Sequence, residues 1–365
     1  MGREMPSADG GGTPHPSDGS GGGVRVCFSS DIHGNVEHLR LVLREAERRE
    51  CDVVILGGDL APRGNGHGFH ELGALRDYLP HLPNGKPDWA SDRALEYMQE
   101  GYDRQGEWFS EVLIPELVAC PVPSVSLFGN SDWAGHMPRC VAGASASAGH
   151  VRFVDGEGDF FTIRSRRDPR RPDAAVASCG VFASSLVPIC AHKKKDWERC
   201  DTRDVTTTET RAPFMDPEGF GSAPDGSGAT RVTVPVTSEE ANRRSIESSL
   251  ERLLGATPRP PPLWVIHAPP RDTVADLCAG GDHVGSIAIR DAIRRWTPRA
   301  SLHGHIHESV SLHGGRFHEW VEGADGAGRK TLVCSSGNDF KKPRPFCLVL
   351  DTDAPERVER VECGG

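Results

Sequence analysis

The chain reads as an α/β protein whose functional residues gather at one edge of a sheet. Three observations predict this. Short apolar strands alternate with amphipathic helices along the sequence. The first ordered elements spell a βαβ unit. Carboxylate, amide and imidazole side chains recur just after the carboxyl ends of strands, which is where open α/β sheets build their sites.

The elements follow in order. Residues 1–23 are rich in Gly, Ser, Asp and Pro and are expected to form a disordered tail. They contain no apolar run that would make a secretory signal, and Pro6 breaks the myristoylation pattern that Met1-Gly2 opens. Val24 to Ser30 alternates into a strand. Asn35 to Glu50 sets Val36, Leu39, Val42, Leu43 and Ala46 on one helical face. Asp52 to Leu56 reads as a second strand, apolar after Asp52 and largely β-branched, as a buried parallel strand should be. Trp108, Phe109, Val112 and Leu113 predict a helix ending near Pro115. Strands are predicted at Pro123–Phe128, Val176–Phe182, Leu263–Ile266, Ala300–Leu302, Thr331–Cys334 and Phe346–Leu350. Thr237 and Glu240 resemble a capping box before a helix carrying Ile246, Leu250, Leu253 and Leu254. Ser286 caps a second helix over Ile287 to Trp296.

This organisation gives one domain over residues 24–352, with loop excursions near 64–103 and 193–236 and a C-terminal tail over 353–365. The apolar fraction is only 37%, with 42 Gly and 28 Pro, and long loops around a normal core account for that. The net charge of −10 gives no broad attraction to nucleic acid or to anionic lipid. No membrane span is expected either. The most apolar long segment, Ala174 to Ala191, is interrupted by Ser178, Ser184, Ser185 and Pro188. The 11 cysteines are odd in number, and no pair has Cys-x-x-Cys spacing. They are expected to be free, buried thiols in a cytoplasmic protein, not a disulfide framework or a zinc knuckle.

The chemistry is carried by the strand ends. They read Asp31-Ile32-His33, Gly58-Asp59, Gly129-Asn130-Ser131-Asp132, His267, and Gly304-His305-Ile306-His307. Oxygen and imidazole donors without thiolates suit divalent first-row metals such as Mn, Fe, Ni or Zn. His305 and His307 alternate along an extended segment and so point to one face. His303 shares that face by parity and reads as a packing or supporting histidine.

These blocks, in this order, resemble the calcineurin-like metallophosphoesterases over about residues 24–350. The resemblance implies a four-layer α/β/β/α sandwich of two mixed sheets flanked by helices. It implies two divalent metal ions, one held by Asp31, His33, Asp59 and His307 and the other by Asp59, Asn130, His267 and His305. Asp59 would bridge them, and Asp59, Asn130 and His305 would be the catalytic residues. The implied reaction is hydrolysis of a phosphate ester by in-line attack of a metal-activated hydroxide.

The chain departs from the family at Ser131, where the usual residue is a histidine that stabilises the transition state or protonates the leaving oxygen. Serine supplies neither a cation nor a readily transferred proton near neutral pH. The loss is shared with some phosphodiesterases and some non-catalytic scaffold members, so a phosphodiester is favoured over a monoester. The alternative is a scaffold of the same fold that binds a protein partner. His136 and His283 are the candidates to replace the missing histidine.

Other readings stay open at this stage. Asn35 either caps a helix or touches substrate. Arg63 either binds phosphate or is a solvated charge, and Ser131 is a substrate-binding candidate. Ser286 either caps its helix or presents backbone amides to an anion. Lys193-Lys194-Lys195 either attracts a polyanionic substrate or is a solvated run. A small phosphate ester is the expected ligand, with no nucleic acid and no membrane. The sequence is silent on oligomeric state.

Overall fold

The computed structural model describes residues 23–63, 79–154, 156–166, 176–203, 215–236 and 239–365. The expected N-terminal tail through residue 22, residues 64–78 and 204–214 of the two loop excursions and the Thr237 cap lie outside the described residues.

In chain order the strands begin with β1 (Arg25–Ser29), β2 (Val53–Gly57), β3 (Ser124–Leu127), β4 (Val151–Phe153), β5 (Asp159–Arg164), β6 (Ser178–Ser184), β7 (Val187–Pro188) and β8 (Glu198–Arg199). They continue with β9 (Glu218–Ser222), β10 (Ala229–Thr233), β11 (Leu263–Ile266), β12 (Ala300–His303), β13 (His318–Glu322), β14 (Lys330–Ser335), β15 (Phe346–Asp351) and β16 (Ala354–Glu362). One six-stranded sheet has the order β16-β15-β1-β2-β3-β4, and a second has the order β13-β14-β12-β11-β6-β5. In the first, β1 to β4 are parallel and β15 and β16 antiparallel. In the second, β6, β11, β12 and β14 are parallel, with antiparallel edges at β5 and β13.

Side-chain parity fixes the layering. A strand sends alternate residues to opposite faces. In β1, Val26 and Phe28 enter a core shared with Val181 and Ala183 of β6 and with Val265 and Leu302 of the second sheet. Cys27 faces the other way, into a cluster with Leu39, Val42 and Ala46 of helix α1 (Val36–Arg48). On the far side of the second sheet, Phe182, Trp264 and Ile266 pack against two helices. Their partners there are Ile246 and Leu250, and Ile289 and Ile293. Helices lie outside and two sheets face each other inside, so the layers are α/β/β/α. Each large apolar side chain buried in this way contributes roughly 1.5–3 kcal/mol.

Among the described residues the remaining α-helices are α2 (Asp92–Trp108), α3 (Ile114–Ala119), α4 (Met137–Ser145), α5 (Glu239–Arg243), α6 (Ile246–Gly255), α7 (Ile287–Trp296) and α8 (Ser309–Leu312). Asn35 and Ser286 are N-caps, accepting from His38 N and Ile289 N. Among the described residues, no helix is long and apolar enough to cross a membrane. All 11 cysteines are free, and Cys190 and Cys278 alone are half-buried where the others are buried.

Four expectations need correction. Residues 354–362 are not a tail: β16 pairs antiparallel with β15 and buries Val358, and Cys363 beyond it is fully buried. Glu356, Arg357, Glu359 and Glu362 are exposed along this edge strand, and charges on both faces hid the alternation. The excursion near 64–103 contains the start of α2, capped by Ser91, which buries Ala94, Met98 and Tyr102 beneath a charged outer face. The excursion near 193–236 contains β8 and the β9–β10 hairpin, for which the Gly/Ser-rich stretch supplies the turn. Finally, Pro115 does not end a helix. A π-helical turn over Phe109–Leu113 precedes it, and Pro115 sits in the first turn of α3, where its missing N–H is tolerated.

Candidate metal centre

The loops after β1, β2, β3, β11 and β12 meet where the two sheets share an edge. The first two are zipped together by backbone bonds: Asp31 N to Gly58 O at 2.9 Å, His33 N to Asp59 O at 2.9 Å and Gly34 N to Leu60 O at 2.7 Å. Asp132 ties the third loop to the second. Its carboxylate accepts from Gly129 N at 2.9 Å, Ala61 N at 2.9 Å and Leu60 N at 3.0 Å. Asp31, His33, Asp59 and His305 all hold left-handed backbone, at φ 58°, 49°, 53° and 70°. Such strain costs of order 1–3 kcal/mol per residue and persists where the surroundings over-determine it, as at functional sites.

The strain turns the side chains toward one another. Donor atoms of Asp31, His33, Asp59 and His307 all lie within 4.8 Å of one another. His33 Nε2 is 3.0 Å from His307 Nε2 and 3.5 Å from Asp59 Oδ2, and His307 Nε2 is 3.3 Å from Asp31 Oδ1. A second set adjoins it. Asn130 Oδ1 is 2.8 Å from His305 Nδ1 and 3.2 Å from His267 Nε2, and His267 Nε2 is 3.4 Å from Asp59 Oδ1. Asp59 therefore presents one oxygen to each set.

These residues fit divalent cations. The donors are oxygen and imidazole nitrogen only. His267 Nδ1 donates to Gly57 O at 2.8 Å, which leaves Nε2 as the ring nitrogen facing inward, where a cation would displace its proton. The glycines are needed for the close approach. A Cβ on Gly129 would meet Asp59 Oδ1 at 2.3 Å and His267 Cε1 at 2.6 Å. On Gly304 it would meet Ser30 Oγ at 2.5 Å and Asp31 Oδ2 at 2.6 Å.

Electrostatics agree. Burial opposes ionisation of Asp59, yet His267, His33 and Arg63 hold its carboxyl well below the usual range. Burial works against Asp31 as well, and the His307 hydrogen bond, with His307 and His267 charge, leaves it below its ordinary value. Burial lowers His267 too, but the Asp59 charge outweighs it and raises that imidazole to about 9. Burial, then the neighbouring His267, drives His305 down to about 3.

The remaining candidates separate clearly. Arg63 is not a solvated charge: Nε donates to His33 Nδ1 at 3.1 Å, and Nη2 lies 3.2 Å from His307 Nε2 and 3.8 Å from Asp59 Oδ2. Ser131 faces Asp59, donating its backbone N to Oδ1 at 2.7 Å and its Oγ to Oδ2 at 2.9 Å, so it positions that carboxylate. The Asn35 oxygen is engaged in capping α1 at 3.1 Å. His136 does not replace the absent histidine: it donates to Tyr102 O at 2.8 Å and packs on the Tyr102 ring. Nor does His283, whose Nδ1 binds Asp276 Oδ1 at 2.7 Å in a loop organised by that carboxylate. At Ser286 the anion on the helix start is the protein's own Asp201, bonded to Ile287 N at 2.7 Å. His303 donates to Ile266 O and Ala268 O and supports the loop; left-handed His305 breaks the extended run on which the shared face of His303, His305 and His307 was expected.

Several contributors were not singled out from sequence. Gln105 of α2 donates to Pro62 O and Ser131 O and accepts from Trp133 N, stitching two site loops. Phe340 lies edge-on to His33, with ring centroids 4.7 Å apart, and Arg63 Cζ sits 5.3 Å from its centroid. Neither carries a sequence signal, because each arrives from a segment remote from every motif. The Lys193–Lys195 run is not simply solvated. Lys193 pairs with Asp216, Lys194 donates to Ser131 O, and Lys195 is fully buried against Glu198 at 2.7 Å.

Comparison with known proteins accords with this geometry. The model of the calcineurin-like phosphoesterase family matches residues 24–309. One crystal structure superposes with a TM-score of 0.53 at 14% identity, over 94% of this chain and 100% of its own. The TT1561 protein of Thermus thermophilus gives a TM-score of 0.45 at 12% identity, over 93% and 99% of the two chains. A dimetal phosphatase from Danio rerio gives 0.39 at 14% identity, over 94% and 99%. At 14% identity the first of these likenesses is one of fold. No curated protein matches the chain. With the ordered strand-end motifs converging at one sheet edge and the family model covering them, the chain belongs to the calcineurin-like phosphoesterase family.

Proposed function

We propose that this protein is a metal-dependent phosphoesterase that holds two divalent cations and prefers phosphodiesters to monoesters. The observation that carries the reading is Asp59, whose two carboxylate oxygens face two separate donor sets. Asp31, His33, Asp59 and His307 would hold one cation, and Asp59, Asn130, His267 and His305 the other. Bound divalent ions acidify water and neutralise the charge that gathers on phosphoryl oxygens in the transition state.

The chain's own residues do the rest. Ser131 and the Gly57 carbonyl hold Asp59 and His267 in the orientation that lets both sets form. Arg63, 14% exposed on its side chain, is the cation nearest the first set and is placed to take a phosphoryl oxygen. The diester preference rests on Ser131, which stands where the family usually has a histidine and whose hydroxyl is engaged with Asp59. A net charge of −10 argues for a small phosphate ester over nucleic acid as substrate. The free thiols fit a reducing, cytoplasmic setting.

The test uses metal-stripped protein refilled with Mn, Fe, Ni, Zn or Mg and assayed on bis(4-nitrophenyl) phosphate and on 4-nitrophenyl phosphate. Metal-restored turnover that favours the diester and disappears in Asp59→Asn is expected. Full activity in Asp59→Asn would remove the assignment.

A further inference from the structure

Neither Ser131 nor the two histidines expected to replace the missing one supplies an acid for the leaving group. The Ser131 hydroxyl is bonded to Asp59, and His136 and His283 are engaged elsewhere. One cation does reach the third site loop. Lys194 donates from Nζ to Ser131 O, the carbonyl of the residue whose amide and hydroxyl both hold Asp59. The same ammonium lies 5.3 Å from the centroid of the Trp133 ring.

This placement is built. Residues 193–197 run as a strap alongside β9, with Lys195 N donating to Phe220 O at 2.8 Å and Phe220 N to Lys193 O at 2.7 Å. The strap is then stitched to the site loop beyond Lys194. Ala134 N donates to Asp196 Oδ2 at 2.8 Å, and Trp197 Nε1 donates to Asp132 O at 2.8 Å. Lys195 anchors it from beneath through Cys190 O at 2.9 Å and Glu198 at 2.7 Å. Three consecutive lysines thus point to three different partners, and the middle one is delivered, half-buried, to the loop that carries Asn130.

Resting on the phosphoesterase reading, we propose that Lys194 is the group that protonates and electrostatically stabilises the leaving oxygen in this enzyme. As water oxygen bonds to phosphorus, the P–O bond to the leaving group breaks and its electron pair stays on that oxygen. The proton on Nζ passes to it, and the resulting amine regains a proton from solvent. The surroundings suit the task. Burial pushes the Lys194 ammonium down to about 8, with Arg63 adding to the fall, while Asp132, Asp59 and Asp196 pull the other way. A donor with a pKa near working pH transfers its proton efficiently.

The test compares Mn-loaded wild type, Lys194→Met and Lys194→Arg on methyl aryl phosphodiesters whose leaving phenols range from 4-nitrophenol to phenol. Arginine keeps a charge and a donor toward Ser131 O but does not release its proton. In both variants, turnover of the phenyl ester should fall about 100-fold and that of the 4-nitrophenyl ester by no more than about threefold. The dependence of log kcat on leaving-group pKa should steepen, with metal content unchanged. Added propylamine should restore part of the phenyl-ester rate in Lys194→Met. A uniform loss across the series, or no loss, in an active enzyme would overturn the role of Lys194 alone. An inactive wild type with both cations bound would overturn the phosphoesterase reading and this proposal together.

Discussion

Ser131 grips Asp59 twice, through N–H to Oδ1 at 2.7 Å and through Oγ to Oδ2 at 2.9 Å, so both oxygens of the shared carboxylate are oriented by one residue. Removing the hydroxyl frees the oxygen that faces His33. Ser131→Ala is expected to weaken metal binding about 10–100-fold, the usual effect of losing a partner that orients a ligand. Calorimetric titration with Mn checks this. Ser131→His supplies an imidazole at the same loop position and should shift the monoester-to-diester ratio toward monoesters. An unchanged ratio would count against the diester argument.

Gly129 makes a sharper structural prediction. A methyl group there would stand 2.3 Å from Asp59 Oδ1 and 2.4 Å from Asp59 N, which is backbone that cannot swing aside. Gly129→Ala should cost about 1–3 kcal/mol of stability from overpacking and should abolish binding of the second cation. Thermal denaturation and elemental analysis of the purified variant read the two effects separately.

The three lysines of the strap should differ in what they hold. Lys195 and Glu198 form a fully buried pair, so Lys195→Met leaves an uncompensated buried carboxylate and should destabilise the fold by about 3–5 kcal/mol. Lys193 pairs with the part-exposed Asp216, and Lys193→Met should cost at most about 1 kcal/mol. Equal effects in urea denaturation would contradict the strap's anchoring.

His136 gives a pH signature. Burial lowers its imidazole from 6.5 to about 4, while its bond to Tyr102 O resists the fall. The folded state therefore stays neutral while the unfolded chain takes up a proton, and stability is lost as pH falls from about 6.5 to about 4. The full contribution is about 3 kcal/mol. Denaturant midpoints of wild type and His136→Gln, compared between pH 7 and pH 4, should converge on acidification if this is right.

How much of this was legible beforehand depends on where the information sits. Strands such as Val53–Gly57 and Leu263–Ile266 are continuous apolar runs, and their periodicity declares them. The ligand motifs are visible because each is tied to its own strand end by a glycine or by a tight turn. The edge strand over Ala354–Glu362 was not visible, because half of its residues face water and carry charge. The helix over Asp92–Trp108 was obscured in the same way by its charged outer face. Contributions from remote segments were beyond reach: Gln105 and Phe340 arrive at the site only through tertiary packing. Asn35, Ser286 and Lys194 make particular hydrogen bonds, with His38 N, Asp201 and Ser131 O, and the partners of the last two are encoded by no local pattern.

The central claim is that turnover needs two cations sharing Asp59. Stripped protein should be titrated with Mn while hydrolysis of bis(4-nitrophenyl) phosphate and bound metal are followed together. Activity should rise with occupancy and saturate at two ions per chain, and Asp59→Asn should neither bind the pair nor turn over. Full activity at one ion per chain, or with no ion bound, would contradict it.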